Sequence, residues 1–332
     1  MRIASFNLEN LDDSPRAAMP VEARLDTLRP QLERLDADIV CLQEVNAARH
    51  PPSKHRSLSA LDALVAGTPL AGFHRASTLS PKTGDPFDKQ NLVVLSRWPV
   101  AARRQVHHDL IEPPRHRIRS AHAEENADDA VLWDRPILHV VIEQDRPGRP
   151  PLHVLNMHLR APLAAFIAGQ KLDAFRWAGT ASWAEGFFLA GLKRSGQALE
   201  ARLIVDRILD EDPDAEIVVT GDFNAEEREV PTRILCAPVE DTGNPDLAGR
   251  SLTALDHRLP RDRRYTVLHG GRHLMLDHLL VSPRLLERFA RLEIHNEALE
   301  DELLAFEAAE ETPVSFHAPI VAEFTRTGTE AD

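Results

Sequence analysis

The segment Ile217–Asn224, Ile-Val-Val-Thr-Gly-Asp-Phe-Asn, constrains this chain more than any other. Its unbroken β-branched run reads as a buried strand, and the glycine that follows ends it. Period-two alternation sends Asp222 and Asn224 to one side and turns Phe223 into packing. A carboxylate beside a carboxamide, at the open end of a strand, suits a hydrolytic centre. The first can position or deprotonate water and the second can hold a phosphoryl oxygen. Gly, Asp and Asn are also turn residues, so a plain turn is the competing reading of these residues taken alone.

Repetition weighs against the plain turn. Arg2–Phe6 leads to Asn7, Leu8, Glu9 and Asn10. Asp38–Gln43 runs into Glu44, and Leu152–Met157 runs into His158. Leu276 precedes Asp277 and His278, with Leu279–Val281 behind them. Ser315, Phe316 and His317 precede a closing strand that ends at Phe324. Each apolar run ends, or begins, at a residue able to bind a metal or a phosphate.

In this order and spacing, from Asn7 to His317, the chain resembles the endonuclease/exonuclease/phosphatase superfamily, the fold of DNase I-like nucleases, sphingomyelinases and inositol-phosphate phosphatases. The resemblance implies a four-layered α/β sandwich, with two packed, mostly antiparallel sheets flanked by helices and the site at one edge. It implies a divalent cation, Mg2+ with Mn2+ as the alternative, held by Glu44 and supported by Asn7; hard cations take oxygen ligands and keep waters. It implies His158 on the scissile phosphate, Asp222 activating water, and Asn224 as its phosphate-binding partner. His317 becomes the second catalytic histidine, oriented and kept charged by Asp277. The chemistry implied is in-line attack of water on a phosphate ester.

One position departs from the pattern. The family reads Ser-Asp-His near its C-terminus, and here Phe316 replaces the aspartate. Three readings stay open. The metal site runs on Glu44, Asn7 and waters; a nearby acid such as Glu310 or Glu311 replaces the lost ligand; or Phe316 lines the pocket of a subgroup with an unusual substrate.

A chain of 332 residues with 43% hydrophobic residues can build a sizeable core. Because the site draws on both ends and the middle, residues 1–326 read as one domain and 327–332 as a disordered tail. The net charge of −13 argues against a generic nucleic-acid binder. It leaves room for a nuclease with a local basic rim. Cys41 and Cys236 read as buried thiols. The first strand starts at Met1, which leaves no place for a signal peptide, and no apolar run approaches the roughly 20 residues of a membrane span. A cytoplasmic location is the default expectation.

Val21, Leu25, Leu28, Leu32 and Leu35 predict an amphipathic helix that Pro30 should kink or divide. Arg97 reads as structural. Residues 103–135 form a polar insertion, basic through Arg103, Arg104, Arg115, Arg117, Arg119 and His122, then acidic over 124–129. It is either a solvated loop or a cationic rim on which Arg115, Arg117 and Arg119 grip substrate. Residues 160–196 carry Phe166, Phe175, Trp177, Trp183, Phe187 and Phe188, rings that either pack or line a lid. Beyond them, Leu199, Leu203 and Ile208 read as ordinary helix packing. Arg258, Arg261, Arg263, Arg264, Arg272 and His273 make a further basic stretch that could border the cleft, and residues 298–311 read as solvated and acidic. His278 should face away from Asp277 and pack.

The leading function is a divalent-metal-dependent phosphodiesterase or nuclease. Its alternatives are hydrolysis of a small phosphorylated molecule and an inactive phosphate-binding protein. The expected partner is a phosphate ester, nucleic acid included.

Overall fold

The computed structural model describes residues 1–15, 17–121, 128–144, 149–308 and 312–325. His122, the acidic run over 124–127, Glu310, Glu311 and the segment 326–332 lie outside these residues.

Two six-stranded sheets form the molecule's centre. The first contains β1 (Arg2–Leu11), β2 (Ile39–Val45), β3 (His74–Ser77), β4 (Asn91–Ser96), β15 (Phe289–Ile294) and β16 (Ile320–Phe324), in the order β15-β16-β1-β2-β4-β3. The second contains β5 (Val100–Val106), β8 (Ile137–Ile142), β9 (Leu152–His158), β10 (Glu216–Asp222), β11 (Thr253–Ala254) and β14 (Asp277–Val281), in the order β11-β14-β10-β9-β8-β5. Each sheet holds one parallel pair, β1–β2 and β9–β10, and its other pairs are antiparallel. Two small hairpins stand outside them, β6 (Arg115–Arg117) with β7 (Asp128–Ala130) and β12 (Val267–His269) with β13 (Arg272–Leu274).

Period-two alternation sorts the side chains into layers. Ile3, Ile39, Cys41, Val94, Val140, Val154, Val218, Leu279 and Ile320 meet between the sheets. Ala4, Phe6, Val40 and Leu42 face outward onto helices α1 (Val21–Arg34) and α2 (Ser59–Val65). Leu155, Met157, Ile217 and Val219 face outward on the other side, onto helix α3 (Thr180–Glu211). The order helix, sheet, sheet, helix is the four-layered sandwich expected.

A polar bridge crosses the otherwise apolar middle. The Asn156 amide on β9 donates to the carbonyls of Leu42 and Val93 in the other sheet, each at 3.0 Å. Gln43 donates to the Asn156 side-chain oxygen at 2.8 Å and to the Ser5 hydroxyl at 3.1 Å. Buried polar groups are tolerated only when bonded, and these bonds set one sheet against the other.

Three expectations need correction. Helix α1 runs through Pro30 without ending. Asp26, whose carbonyl the proline leaves unpaired, lies with Pro30 on the solvent face, while Leu28 and Leu32 hold the inner face. In α3 the buried stripe is Ala198, Ala201, Val205, Ile208 and Leu209, and Leu199 is exposed. Nor do the rings of 160–196 mainly pack. Phe166, Phe175, Trp183, Phe187 and Phe188 are exposed. Only Trp177 joins a small cluster with Val131, Ala165, Ile167 and Leu189. Cys41 is buried and Cys236 half-buried, both free. Among the described residues, no helix is long and apolar enough to cross a membrane.

Gly221, at φ +133°, packs so closely on β9 that a Cβ there would lie 1.9 Å from the Met157 carbonyl oxygen. Gly221→Ala should therefore cost about 3 kcal/mol or more, read as a lower urea midpoint. An unchanged midpoint would show that β9 and β10 can separate freely at this point.

Candidate active site

Six polar side chains reach one edge of the sandwich. The parallel pairs bring the C-terminal ends of β1, β2, β9 and β10 there, with Asn7, Glu44, His158 and Asp222. The antiparallel neighbours β14 and β16 begin at the same edge, which brings Asp277 and His317.

Asn7 links the sheets. Its Nδ2 donates to Glu44 Oε1 at 3.2 Å and to Asp222 Oδ2 at 3.1 Å, while its Oδ1 accepts the Glu9 backbone N–H at 2.9 Å. Asp222 is held from both sides by Asn224: the backbone N–H reaches Oδ1 at 2.8 Å and Nδ2 reaches Oδ2 at 3.1 Å. Asn224 Nδ2 also donates to the Leu159 carbonyl at 3.1 Å, so its amide supports the carboxylate from within the protein. Phe223 points away into the core, as the alternation requires.

The two histidines sit in opposite electrostatic states. His317 Nδ1 meets Asp277 Oδ2 at 2.8 Å, and its Nε2 lies 3.9 Å from Asp222 Oδ2. Burial works against its charge, but the Asp277 and Asp222 carboxylates overcome it and hold the imidazolium well above the ordinary histidine range. His158 is more enclosed than His317, with Nε2 3.3 Å from Asp222 Oδ2 and 3.8 Å from Glu44 Oε1. Burial, then the nearby Arg135 and His317 charges, drive its pKa well down, so it is neutral. Burial also raises the Asp222 carboxyl to about 7; Asp277 and Glu44 add to that, while His317 and the Asn224 N–H oppose it.

Asp222, Asp277 and His317 place donor atoms within 4.8 Å of one another. Of the three, the His317 ring is already bonded to Asp277 and sits beside Asp222. Glu44 is different. Among the described residues no Lys or Arg pairs with it; it accepts from Asn7, and His158 lies 3.8 Å away. Oxygen donors without a resident cation fit a hard divalent ion.

Sequence reasoning did not assign Arg135 or Gln90 to this place. Arg135 donates to Gln90 Oε1 through Nε at 3.0 Å and Nη2 at 2.6 Å. Burial lowers its pKa while Glu44, Asp134 and Asp222 support its charge. The available signal was position: an arginine entering β8, antiparallel to β9, must start at the edge where β9 ends. Arg97 pairs with Asp38 at 3.0 Å and is structural. His278 is fully buried, its Nε2 donating to the Ala225 carbonyl at 2.9 Å, and packs as expected.

Arg115, Arg117 and Arg119 stand exposed on and beside the β6–β7 hairpin. Among the described residues none of them bonds to the cluster. The hairpin is tied to α3 by Glu185, which accepts from His116 Nε2 and from the Arg119 and Ser120 backbone N–H groups, each at 2.8 Å. Of the later basic stretch, Arg258, Arg261, Arg263, Arg272 and His273 are exposed, and Arg264 pairs with Glu227 at 3.4 Å. That segment touches the site through Thr266, whose hydroxyl accepts the Asp277 N–H at 3.1 Å, and through Val267, which bridges to His317. Asp301, in the acidic stretch, is engaged rather than merely solvated: it accepts from Gly270 and Gly271 N–H at 2.9 and 2.6 Å.

Carboxylates, an imidazolium and a neutral imidazole converging on an oxygen-lined edge make up the machinery of a phosphoester hydrolase. The family profile agrees: residues 4–299 match the Endonuclease/Exonuclease/phosphatase family, and the chain belongs to it. No curated protein matches the chain. Solved structures of similar fold include truncated Caenorhabditis elegans TDP2, at 14% identity and TM-score 0.56 over 98% of this chain and 97% of that one. An AP endonuclease from Archaeoglobus fulgidus matches at 14% identity and TM-score 0.52, over 98% and 99%. A variant of the 3' phosphatase NExo from Neisseria, bound to product DNA hairpin, matches at 16% identity and TM-score 0.51, over 98% and 100%.

The raised Asp222 pKa has a consequence for stability. The folded state holds this proton up to about pH 7, whereas the unfolded carboxyl loses it near 3.8. Stability from this group is thus full below pH 3.8 and is lost as pH rises from there through 7. In metal-free buffer, Asp222→Asn should match wild type near pH ~4 and exceed it by about 1–3 kcal/mol at pH ~8. Urea midpoints across that range check it; a gap independent of pH would contradict the raised pKa.

Proposed function

We propose that this protein hydrolyses phosphate diesters by in-line attack of water, with Glu44 and Asn7 holding a divalent cation, Mg2+ or Mn2+. The observation that carries this reading is the Asp277–His317–Asp222 line running into the Asn7–Glu44 pair. When bound, the cation supplies positive charge to phosphoryl oxygens. Asp222, its two oxygens fixed by Asn224, orients the water and takes its proton. His317, charged through Asp277, offers its Nε2 proton to a phosphoryl oxygen. His158, neutral and close to Asp222, steadies that carboxylate and lies next to the space a phosphate would enter. Asn224 can meet the phosphate only by giving up one of its amide bonds to Asp222 and Leu159. Arg115, Arg117 and Arg119 are proposed to meet more distant parts of a long substrate. Residues 1–326 act as one unit in this scheme, since the site takes residues from β1 and from the segment before β16.

Nucleic acid is the substrate class we favour, in line with a neighbour in fold whose structure holds a DNA hairpin. The net charge of −13 favours the second reading, a small phosphorylated molecule. We place the protein in the cytoplasm.

A panel of phosphodiesters and phosphomonoesters, with single- and double-stranded DNA and RNA, tests the scheme with Mg2+ or Mn2+ against EDTA. Asp222→Ala and His317→Ala should each lower turnover at least ~100-fold, with circular dichroism unchanged. A rate that falls steeply with salt supports nucleic acid through counterion release; salt-insensitive turnover of a small ester supports the second reading. Ligand binding without turnover under either metal overturns hydrolysis altogether.

A further inference from the structure

At the end of β9 remote from His158, two histidines face each other on the outer side of the second sheet. His139 on β8 and His153 on β9 are diagonal neighbours: His139 stands opposite Leu155, and His153 opposite Val141. His139 Nε2 and His153 Nδ1 are 3.1 Å apart, with the ring planes within 24° of parallel. The rest of this face is apolar, with Leu155, Met157, Ile217 and Val219. Among the described residues neither ring has another hydrogen-bond partner, and no step of the hydrolytic scheme uses either one.

The pair has the chemistry of metal ligands. Burial, with His153 and Arg104 adding to it, pushes His139 down to about 4. Burial lowers His153 too, against the pull of Asp212 and Glu211. Both rings are therefore uncharged at neutral pH, and a neutral imidazole offers a lone pair to a metal. Two nitrogens 3.1 Å apart can share an ion through bonds of ~2.0–2.1 Å that subtend about 100°. That angle lies between the octahedral and the tetrahedral values. A cleft of about 420 Å3 adjoins the pair, lined by Arg207 and Glu211 from α3 and by Arg104 from β5. All three are exposed. Arg104 leans toward Asp109, at 3.5 Å. Among the described residues Glu211 has no hydrogen bond or ion pair, so its carboxylate is free to supply an oxygen. An anion in this cleft would meet that carboxylate and two uncharged rings, whereas the exposed arginines can turn to solvent and leave a cation the fixed nitrogens.

We propose that His139 and His153 form a second metal site, for a divalent ion of the Zn2+ class, separate from the oxygen-lined active edge. Imidazole suits Zn2+, whereas carboxylate, carbonyl and water suit Mg2+ and Mn2+. The ion replaces the hydrogen bond between the rings: the donor ring moves its proton to its other nitrogen, and each facing nitrogen gives its lone pair to the metal. Glu211 and water complete the shell. The ion ties β8 to β9, and through Glu211 it ties the end of α3 to the sheet whose other end carries His158. The site does not depend on the hydrolase reading.

Zn2+ is the probe, titrated calorimetrically into the full chain with Mg2+ in excess. His139→Gln and His153→Gln should each weaken Zn2+ binding more than ~10-fold, the least expected even of a group that only supports a metal. Glu211→Gln should weaken it as well, and Arg104→Gln, which removes a charge beside His139, should tighten it. These two side chains lie at the surface, so their variants decide the matter if a histidine variant does not fold. Zn2+ should also raise the melting temperature of wild type and not of His139→Gln, since an ion bound only by the folded state stabilises it. If both histidine variants bind Zn2+ within about twofold of wild type, or if the loss follows His317→Ala instead, the ion sits elsewhere and the pair is only a hydrogen bond. Affinity unmoved by both Glu211→Gln and Arg104→Gln overturns the site equally.

Discussion

Everything at the active edge depends on how the Asn156 side chain is bonded. It reaches across the apolar middle to two carbonyls of the opposite sheet and receives Gln43 in return. Apolar packing alone is tolerant of small slides between sheets, since one methyl contact replaces another. Directional bonds in a dry interior are not tolerant, because a slide leaves each group unpaired at a cost of about 1–3 kcal/mol. Asn156 lies two residues before His158, Ser5 two before Asn7, and Gln43 immediately before Glu44. A bridge one step beneath the site therefore sets the distance between its halves, and the Asn7–Asp222 bond closes it above.

The site holds more negative charge than its own cations balance. Glu9, Glu44, Asp222 and Asp277 gather around one imidazolium, His317, and two guanidiniums, Arg24 and Arg135. Burial raises the Glu9 and Asp222 carboxyls, and neighbouring carboxylates add to both shifts. A cation entering here relieves repulsion already present, and the energy of the mismatch becomes binding energy for the ion. Burial opposes charge on both histidines; the carboxylates beside His317 overcome it, whereas Arg135 and His317 add to it at His158.

Much of this was legible in the chain. Asn7, Glu44, His158, Asp222, Asp277 and His317 all lie at ends of apolar runs, and the structure gathers all six at one edge because strand direction and pairing leave them nowhere else to go. The sandwich was what the family resemblance implied, and alternation along its strands then sorts the side chains into its layers. The approach of Glu9 to this edge was not legible, because it depends on a break in the β1–β2 register that interrupts period two. Arg135 and Gln90 act through a contact between loops far apart in sequence. Pro30 misled because its effect depends on whether the unpaired carbonyl meets solvent. The rings of 160–196 misled for a related reason: spacing can place a ring on a helix, but only the surrounding chain decides whether it is covered. Arg115, Arg117 and Arg119 were read from charge density, which says nothing about reach.

The way the site is stitched together also sets how the protein must be made. The Asn7–Asp222 bond joins residues 215 apart, and the Ser315 hydroxyl reaches the Asn7 carbonyl over 308. Loop-closure entropy makes such contacts late events relative to local helices and hairpins. A nascent chain on the ribosome thus carries β1, with Asn7 and Glu9, without its partner β16 until nearly the last strand has emerged. Phosphoester chemistry is withheld through synthesis, because no earlier length of chain contains both the relay and the carboxylates it serves.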